Sequence, residues 1–130
     1  MLGVSHIYSQ SGKLQLSLHL LVNAAAKPIA IIPTIGENIN INWSPDGKSI
    51  AVGNRDDQLT LIDAQKYKML RTMKYTFEVN EVTWDATGDL FFITTGLGKI
   101  EITNPELKPI ITLHAAPAAL YCIDFDSTGK

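Results

Sequence analysis

The sequence predicts an all-β fold, a partial β-propeller of about two complete four-stranded blades plus the first strand of a third. Three observations predict it: an aromatic residue followed by a glycine turn recurs every 41 residues, apolar and polar residues alternate around each copy, and the copies stay in phase. Alternation with period two is typical of half-buried strands, and a period of roughly 40 to 45 residues is that of a propeller blade. A helical repeat would show apolar residues every three or four positions instead.

The first strand and turn of each repeat carry the strongest signal. The three copies read Ile41-Asn42-Trp43-Ser44-Pro45-Asp46-Gly47-Lys48, Val82-Thr83-Trp84-Asp85-Ala86-Thr87-Gly88-Asp89 and Ile123-Asp124-Phe125-Asp126-Ser127-Thr128-Gly129-Lys130. Pro45 presets its own backbone angle and Gly47 supplies a positive φ, as a tight turn after a strand requires. Trp43 and Trp84 hold equivalent positions, so we expect both to pack between blades.

Three more strands follow in each repeat. We predict second strands at 49–53 and 90–95, third strands at 59–63 and 100–103, and fourth strands at Met69–Tyr75 and Pro109–Leu113. Short polar or glycine turns separate them. The blades therefore span 39–75 and 79–113, and a third blade starts at 120–130.

Residues 1–35 carry no phase with this period, so we expect an unrelated or irregular leader at 1–35 followed by the propeller repeat region at 36–130. His19 and Lys27 interrupt the apolar stretch from Leu14 onward, which disfavours a membrane-spanning helix. A cleaved signal peptide ending near Ala24–Ala26 is the alternative. Because two blades cannot close a ring, we expect an incomplete or truncated product with open sheet edges.

Composition narrows the function. Hydrophobic residues make up 45% of the chain, the formal charge is −2, and the single cysteine cannot form an internal disulfide. The sequence has no run of basic residues, so RNA is expected to be contacted only indirectly. Neither a membrane nor a small-molecule substrate is indicated.

The repeats resemble the WD40 family, and within it the WD40-repeat subunits of the THO complex, which is part of the transcription–export (TREX) assembly. The sequence is similar in character to the plant members of that group. The resemblance rests on Glu37-Asn38-Ile39-Asn40, Trp43-Ser44-Pro45-Asp46-Gly47, Ile50-Ala51-Val52-Gly53-Asn54-Arg55-Asp56-Asp57, Phe77-Glu78-Val79-Asn80-Glu81, Phe91-Phe92-Ile93-Thr94-Thr95-Gly96-Leu97-Gly98 and Pro105-Glu106-Leu107-Lys108-Pro109. The Trp-Asp pair that names the WD40 family is degenerate, appearing as Ile62-Asp63 and Thr103-Asn104.

The resemblance implies a nuclear, non-enzymatic scaffold without cofactors, which binds other protein subunits of a THO-like complex in mRNP assembly and mRNA export. The alternatives are a WD40 adaptor of another complex, in ubiquitin ligation or chromatin, and a non-functional truncated product. A propeller enzyme would need catalytic side chains on the innermost strands. Those strands offer only Asn40, Asn42, Glu81, Thr83 and Asp124, among which no base and nucleophile pair up.

The candidate partner-binding residues lie in loops. Since successive strands are antiparallel, the turns after the second and fourth strands lie at the same end of the propeller. This gathers Glu37, Asn38, Asn54, Arg55, Asp56, Asp57, Phe77, Glu78, Leu97 and Gly98 on one face. We expect Arg55 to be the main anchor and Phe77 to be exposed. Asp56 and Asp57 are adjacent carboxylates, but Asp is a common turn residue, so a metal site is not favoured.

Overall fold

A computed structural model describes the backbone of residues 2–8, 14–20, 30–126 and 128–129, and the side chains from residue 30 onward within those ranges. In these ranges the chain forms eleven β-strands. The same ranges contain no helix long and apolar enough to cross a membrane. The predicted all-β class is confirmed.

The first complete blade is a four-stranded antiparallel sheet. Its strands are β4 (Asn38–Trp43), β5 (Ser49–Asn54), β6 (Gln58–Asp63) and β7 (Lys68–Lys74), paired in the order β4-β5-β6-β7. The turn between β4 and β5 closes through a 2.9 Å bond from the Gly47 N–H to the Ser44 carbonyl, with Gly47 at φ +69°. Glycine enters this left-handed region without the steric cost of a Cβ, as predicted.

The second blade repeats this architecture. Its strands are β8 (Val79–Trp84), β9 (Phe91–Thr95), β10 (Lys99–Thr103) and β11 (Pro109–His114), again in sequential antiparallel order. The inner strands β4 and β8 each carry a bulge, at Ile39 and at Asn80, one repeat apart. The two sheets are consecutive four-stranded blades of a partial β-propeller, as predicted.

The third repeat forms its first turn but not the strand predicted before it. The Gly129 N–H donates to the Asp126 carbonyl at 2.9 Å and Gly129 has φ +76°, as in the two preceding repeats. Residues 120–126, however, form no strand. An inner strand pairs only with the second strand of its own blade, and the described residues contain no such partner for 120–126.

The expected irregular leader contains regular strands instead. The segments β1 (Leu2–Tyr8), β2 (Leu14–Leu20) and β3 (Ala30–Pro33) form an antiparallel sheet in that order. The signal was present in β2, whose sequence Leu-Gln-Leu-Ser-Leu-His-Leu alternates with period two. It was missed because the segment is out of phase with the 41-residue repeat. Whether residues 1–35 are unrelated to the repeats stays a prediction, as does the division at residue 35.

Two hydrophobic cores cover the two faces of the first blade. The core between the blades contains Ala51, Leu59, Leu61, Val79, Val82, Trp84, Phe91, Ile93 and Leu107. There Trp84 is only 6% exposed and meets Phe91 edge-on, with ring centroids 4.7 Å apart. Trp43 is half-buried and packs on the opposite core, which includes Ile32 of β3. Both tryptophans are therefore packing residues, and β3 covers the face that Trp43 presents.

Candidate protein-binding face between the blades

Four connections meet at one end of the two blades and form what we call the loop face. They are the loops at 34–37 and 75–78 and the hairpin turns at 55–57 and 96–98. In the first repeat the Arg55 N–H donates to the Glu37 carbonyl at 2.9 Å, and in the second the Gly96 N–H donates to the Glu78 carbonyl at 3.0 Å. The predicted convergence of these loops is therefore present, and it is fixed by the same backbone bond in both repeats.

Asn54 organises its turn and is buried. Its side-chain oxygen accepts hydrogen bonds from the N–H groups of Asp56 and Gln58, both at 3.0 Å, and its amide donates to the Ile35 carbonyl at 2.5 Å. In the next repeat the hydroxyl of Thr95 accepts equivalent bonds from the turn that follows it. A side-chain oxygen at the last residue of the second strand, from Asn54 or Thr95, therefore accepts hydrogen bonds from the backbone N–H groups of the turn. The side chain of Asn54 is consequently unavailable to a partner.

Asp57 and Gly98 occupy equivalent positions and both have positive φ, at 56° and 72°. Asp tolerates this conformation better than most residues with a Cβ. A Cβ at Gly98 would collide with the backbone carbonyls of Ala116 and Ala118, so glycine is required there. Asp57 also reaches the second blade, because its Oδ1 accepts a 3.4 Å hydrogen bond from the Val79 N–H.

An exposed ion pair occupies the first-repeat half of the loop face. The Nε of Arg55 lies 3.4 Å from a carboxylate oxygen of Glu37, and the two side chains are 68% and 37% exposed. Lys74, at the end of β7, donates to the backbone carbonyl of Asp56 and so brings a second cation close to Arg55. Because the Arg55 side chain is 68% exposed and no other partner of it is found among the described residues, its remaining N–H groups are accessible to a carboxylate or carbonyl of a partner.

The second-repeat half carries the same glutamate without the arginine. Glu78 is exposed, and the residue at the position equivalent to Arg55 is Gly96. The Glu78 carboxylate lies over Gly96, where a Cβ would collide with it. Glu78 also borders a cavity of about 350 Å³ between the blades, together with Ile39, Asn54, Arg55, Asp57, Val79 and Asn80.

Phe77 is less accessible than the sequence suggested. It is half-buried, packs against the core between the blades, and lies 5.0 Å from the ring of Tyr75, centroid to centroid. Burial, reinforced by the nearby Glu101 carboxylate, raises the pKa of Tyr75 to about 12. The expectation of an exposed aromatic at Phe77 was wrong, because an aromatic side chain beside a core gains more from burial than from solvent. Leu97, by contrast, is 63% exposed.

The ten predicted residues thus divide by accessibility. Asn38, Asn54 and Gly98 are buried, and Asn38 donates its amide to the Thr34 hydroxyl at 2.9 Å. The accessible or half-accessible ones are Glu37, Arg55, Asp56, Asp57, Phe77, Glu78 and Leu97. Sequence reasoning missed Lys74 and Ile39, of which Ile39 is 45% exposed because the bulge turns it outward. The described residues contain no cluster of three or more His, Cys, Asp or Glu side chains suited to a metal ion.

The opposite end of the blades is built differently. A cavity of about 520 Å³ lies there between the two blades and is bordered by Asp46, Leu70, Arg71 and Glu106 among others. Arg71 donates to the Glu106 carbonyl at 3.0 Å and so ties β7 to the second blade. Asp46, one of the acidic residues that border this cavity, accepts a hydrogen bond from Ser44 of its own turn.

Hydroxyl–carboxylate pairs stabilise the turns at this end. The Ser44 hydroxyl donates to Asp46 at 2.6 Å, and this bond, together with one from the Lys48 N–H, holds the pKa of Asp46 below its ordinary value. Burial alone would raise the pKa of Asp85, but hydrogen bonds from Thr87 and the Leu90 N–H lower it on balance. Backbone donors likewise lower the pKa of Asp63, chiefly the Lys66 N–H.

Known proteins resemble this chain over the part that contains the blades. A model of the WD40 domain of anaphase-promoting complex subunit 4 matches residues 34–84. The chain is 53% identical over 96 residues to THO complex subunit 3 of Arabidopsis thaliana, covering 73% of this chain and 30% of that protein. It is 40% identical over 111 residues to WD repeat-containing protein AAC3 of Dictyostelium discoideum, covering 80% of this chain and 23% of that protein.

A more distant similarity links the chain to Cell division cycle 20.1, cofactor of APC complex, of Arabidopsis thaliana, at 28% identity over 92 residues. The chain spans less than a third of the length of each of these relatives. Two of the four descriptions name the repeat: the family model is that of a WD40 domain, and AAC3 is described as WD repeat-containing.

Proposed function

We infer that this chain contains WD40 repeats and is a non-enzymatic scaffold of a THO-like complex that acts in mRNP assembly and mRNA export. The observation that carries the proposal is the 53% identity to THO complex subunit 3 across 73% of the chain. That similarity is much higher than the 28% found with the cofactor of the anaphase-promoting complex. The proposed location is the nucleus, where such a complex would work.

The loop face is the surface we propose for partner binding. It combines an exposed ion pair, the exposed carboxylate of Glu78 and the exposed apolar side chains of Leu97 and Ile39. Protein interfaces combine apolar contacts with a few charged anchors, among which arginine is enriched. Arg55 is the proposed anchor, because its guanidinium is held by Glu37 at one edge and faces solvent at the others.

A second candidate is an adaptor of a different assembly, in ubiquitin ligation or chromatin. The match of residues 34–84 to the WD40 domain of anaphase-promoting complex subunit 4 favours it. The two candidates differ in which protein subunits the chain should bind.

The test is an Arg55→Ala variant of the chain, measured for stability and for recovery of partners. The exposed ion pair contributes little to folding, so the free energy of unfolding should change by no more than about 0.5 kcal/mol. If Arg55 is an interface anchor, its replacement by alanine should weaken association with the partner by about 2 kcal/mol, near thirtyfold.

Lys66→Ala is the matched control, since Lys66 is an exposed cation in the β6–β7 loop at the opposite end. It should leave binding unchanged. Equal binding of wild type and Arg55→Ala would remove Arg55 from the interface. A large loss of stability would assign it to the turn instead.

A further inference from the structure

The two repeats differ at one pair of positions on the loop face. In the first repeat Glu37 faces Arg55, and their charged groups are 3.4 Å apart. The equivalent residues in the second repeat are Glu78 and Gly96, each 41 positions later. The backbone bonds between the two positions are nearly identical, at 2.9 and 3.0 Å. The backbone arrangement that holds the ion pair is therefore present in both repeats, but the second repeat has no cation at the position of Arg55.

Among the described residues, Glu78 is consequently a carboxylate without a counter-ion. Within the described part of the chain its side chain makes no ion pair, and the ion pairs found there join Lys48 to Asp46 and Arg55 to Glu37. The neighbouring cation Arg55 is already engaged by Glu37. A charge at such a site attracts an external cation, more strongly when the partner excludes water from the contact.

The space beside Glu78 suits a long cationic side chain. The cavity of about 350 Å³ is bordered by Ile39 and Val79, by the carboxylates of Glu78 and Asp57, and by the polar side chains of Asn54, Asn80 and Arg55. Arg55 is the one cation among the described residues of this lining, and Glu37 pairs with it. Apolar walls accept the aliphatic part of an arginine or lysine side chain, while the charged end reaches the carboxylate. Arginine matches the geometry better, because its planar guanidinium can bond a carboxylate with two N–H groups.

We propose that Glu78 and the adjoining cavity bind an arginine side chain supplied by a partner protein, which takes the place that Arg55 holds in the first repeat. This inference rests on the proposed scaffold function and names the chemistry of the contact. The partner segment presents an arginine next to apolar residues that meet Ile39 and Leu97.

The direct test titrates the 130-residue chain with N-acetyl-arginine amide and follows backbone amide signals by NMR. Saturable shifts should appear at Glu78 and Asn80, and N-acetyl-citrulline amide, which has the same shape without the charge, should cause none. Glu78→Gln should weaken binding of the arginine probe by about fivefold, the value of an exposed ion pair of about 1 kcal/mol. Glu106→Gln, an exposed glutamate at the opposite end, is the matched control and should bind like wild type.

A second variant supplies the missing cation within the chain. Gly96 is not among the residues with positive φ, so its backbone conformation accepts a side chain. An added Cβ would lie 2.9 Å from the Cβ of Glu78 and against its carboxylate, so the loop at Glu78 must move slightly to make room. Gly96→Arg should pair with Glu78 and abolish binding of the probe while the chain stays folded. Equal responses to citrulline and arginine, or unchanged binding in both Glu78→Gln and Gly96→Arg, would overturn the proposal.

A third measurement separates this proposal from the scaffold function. Tagged wild type and Glu78→Gln are compared for recovery of THO subunits from Arabidopsis thaliana nuclei. Reduced recovery with Glu78→Gln supports the arginine site. Equal recovery of THO subunits by both would overturn the site and leave the scaffold function standing. Recovery by neither would remove the scaffold function, and with it the assignment of the arginine to a THO partner.

Discussion

The side-chain amide of Asn40 donates a 2.9 Å hydrogen bond to the backbone carbonyl of Asn80, which joins the innermost strands of the two blades. The other end of the same amide accepts a 3.1 Å bond from the Gly53 N–H. Asn80 in turn donates to the Leu120 carbonyl at 2.8 Å, so the link continues into the third repeat. These bonds hold successive repeats in register.

Asn40→Ala should destabilise the chain by about 1–3 kcal/mol, because it leaves the Gly53 N–H and the Asn80 carbonyl without their partners. Urea denaturation measures the effect. Asn42→Ala is the control on the same strand, since Asn42 makes no side-chain hydrogen bond within the described ranges. An equal loss of stability from Asn40→Ala and Asn42→Ala would show that the hydrogen bond between Asn40 and Asn80 does not stabilise the chain.

The hydroxyl and the carboxylate of the first turn exchange places between repeats. In the first repeat Ser44 donates to Asp46, whereas in the second Thr87 donates to Asp85, and both bonds are 2.6 Å long. Ser44→Asp alone should destabilise the turn by about 1 kcal/mol, because two carboxylates then face each other. Adding Asp46→Thr should restore stability. A double-mutant cycle by thermal unfolding tests this, and additive effects would contradict it.

Acid should weaken these turns. The pKa of Asp46 is lowered in the folded chain, so its contribution is complete above the ordinary Asp pKa of about 3.9 and is lost as the pH falls below it. The difference in unfolding midpoint between wild type and Asp46→Asn should therefore shrink as the pH falls from about 5 to about 2. A constant difference across that range would mean that the Asp46 charge adds nothing.

Trp84 should tolerate loss of its indole N–H better than loss of its ring. The buried Nε1 has no hydrogen-bond partner among the described residues. Trp84→Phe should cost less than about 1.5 kcal/mol, whereas Trp84→Ala should cost about 3–5 kcal/mol through the cavity that it leaves. The half-buried Trp43 provides the comparison, and Trp43→Ala should cost less than Trp84→Ala. A Trp84→Phe loss as large as that of Trp84→Ala would reveal a hidden partner of the indole.

The blades could be predicted from the sequence because their determinants are local and recur. Gly47 and Gly88 mark turns at fixed spacing, and strands beside them alternate between core and solvent. The sheet formed by β1, β2 and β3 escaped prediction because its alternation has no second copy for comparison.

The candidate site was predictable in its location but not in its contacts. Antiparallel connections dictate which loops share an end, so the convergence of Arg55 and Glu78 followed from strand order. Accessibility did not follow, because Asn54 looks like any polar turn residue until its hydrogen bonds to the backbone are known. The sequence does show that the second repeat has Gly96 at the position where the first repeat has Arg55, so that Glu78 lacks the equivalent cation. Only the structure shows that this difference removes an ion pair, because it shows that Glu37 and Arg55 are paired in the first repeat.

The most direct measurement is affinity purification of the tagged chain from Arabidopsis thaliana nuclei, with mass spectrometry of the proteins recovered. Wild type should recover THO subunits well above an untagged control and above subunits of the anaphase-promoting complex. Arg55→Ala should reduce that recovery, and Lys66→Ala should not. Recovery of anaphase-promoting complex subunits instead, or of no THO subunit at all, would contradict the proposed scaffold function.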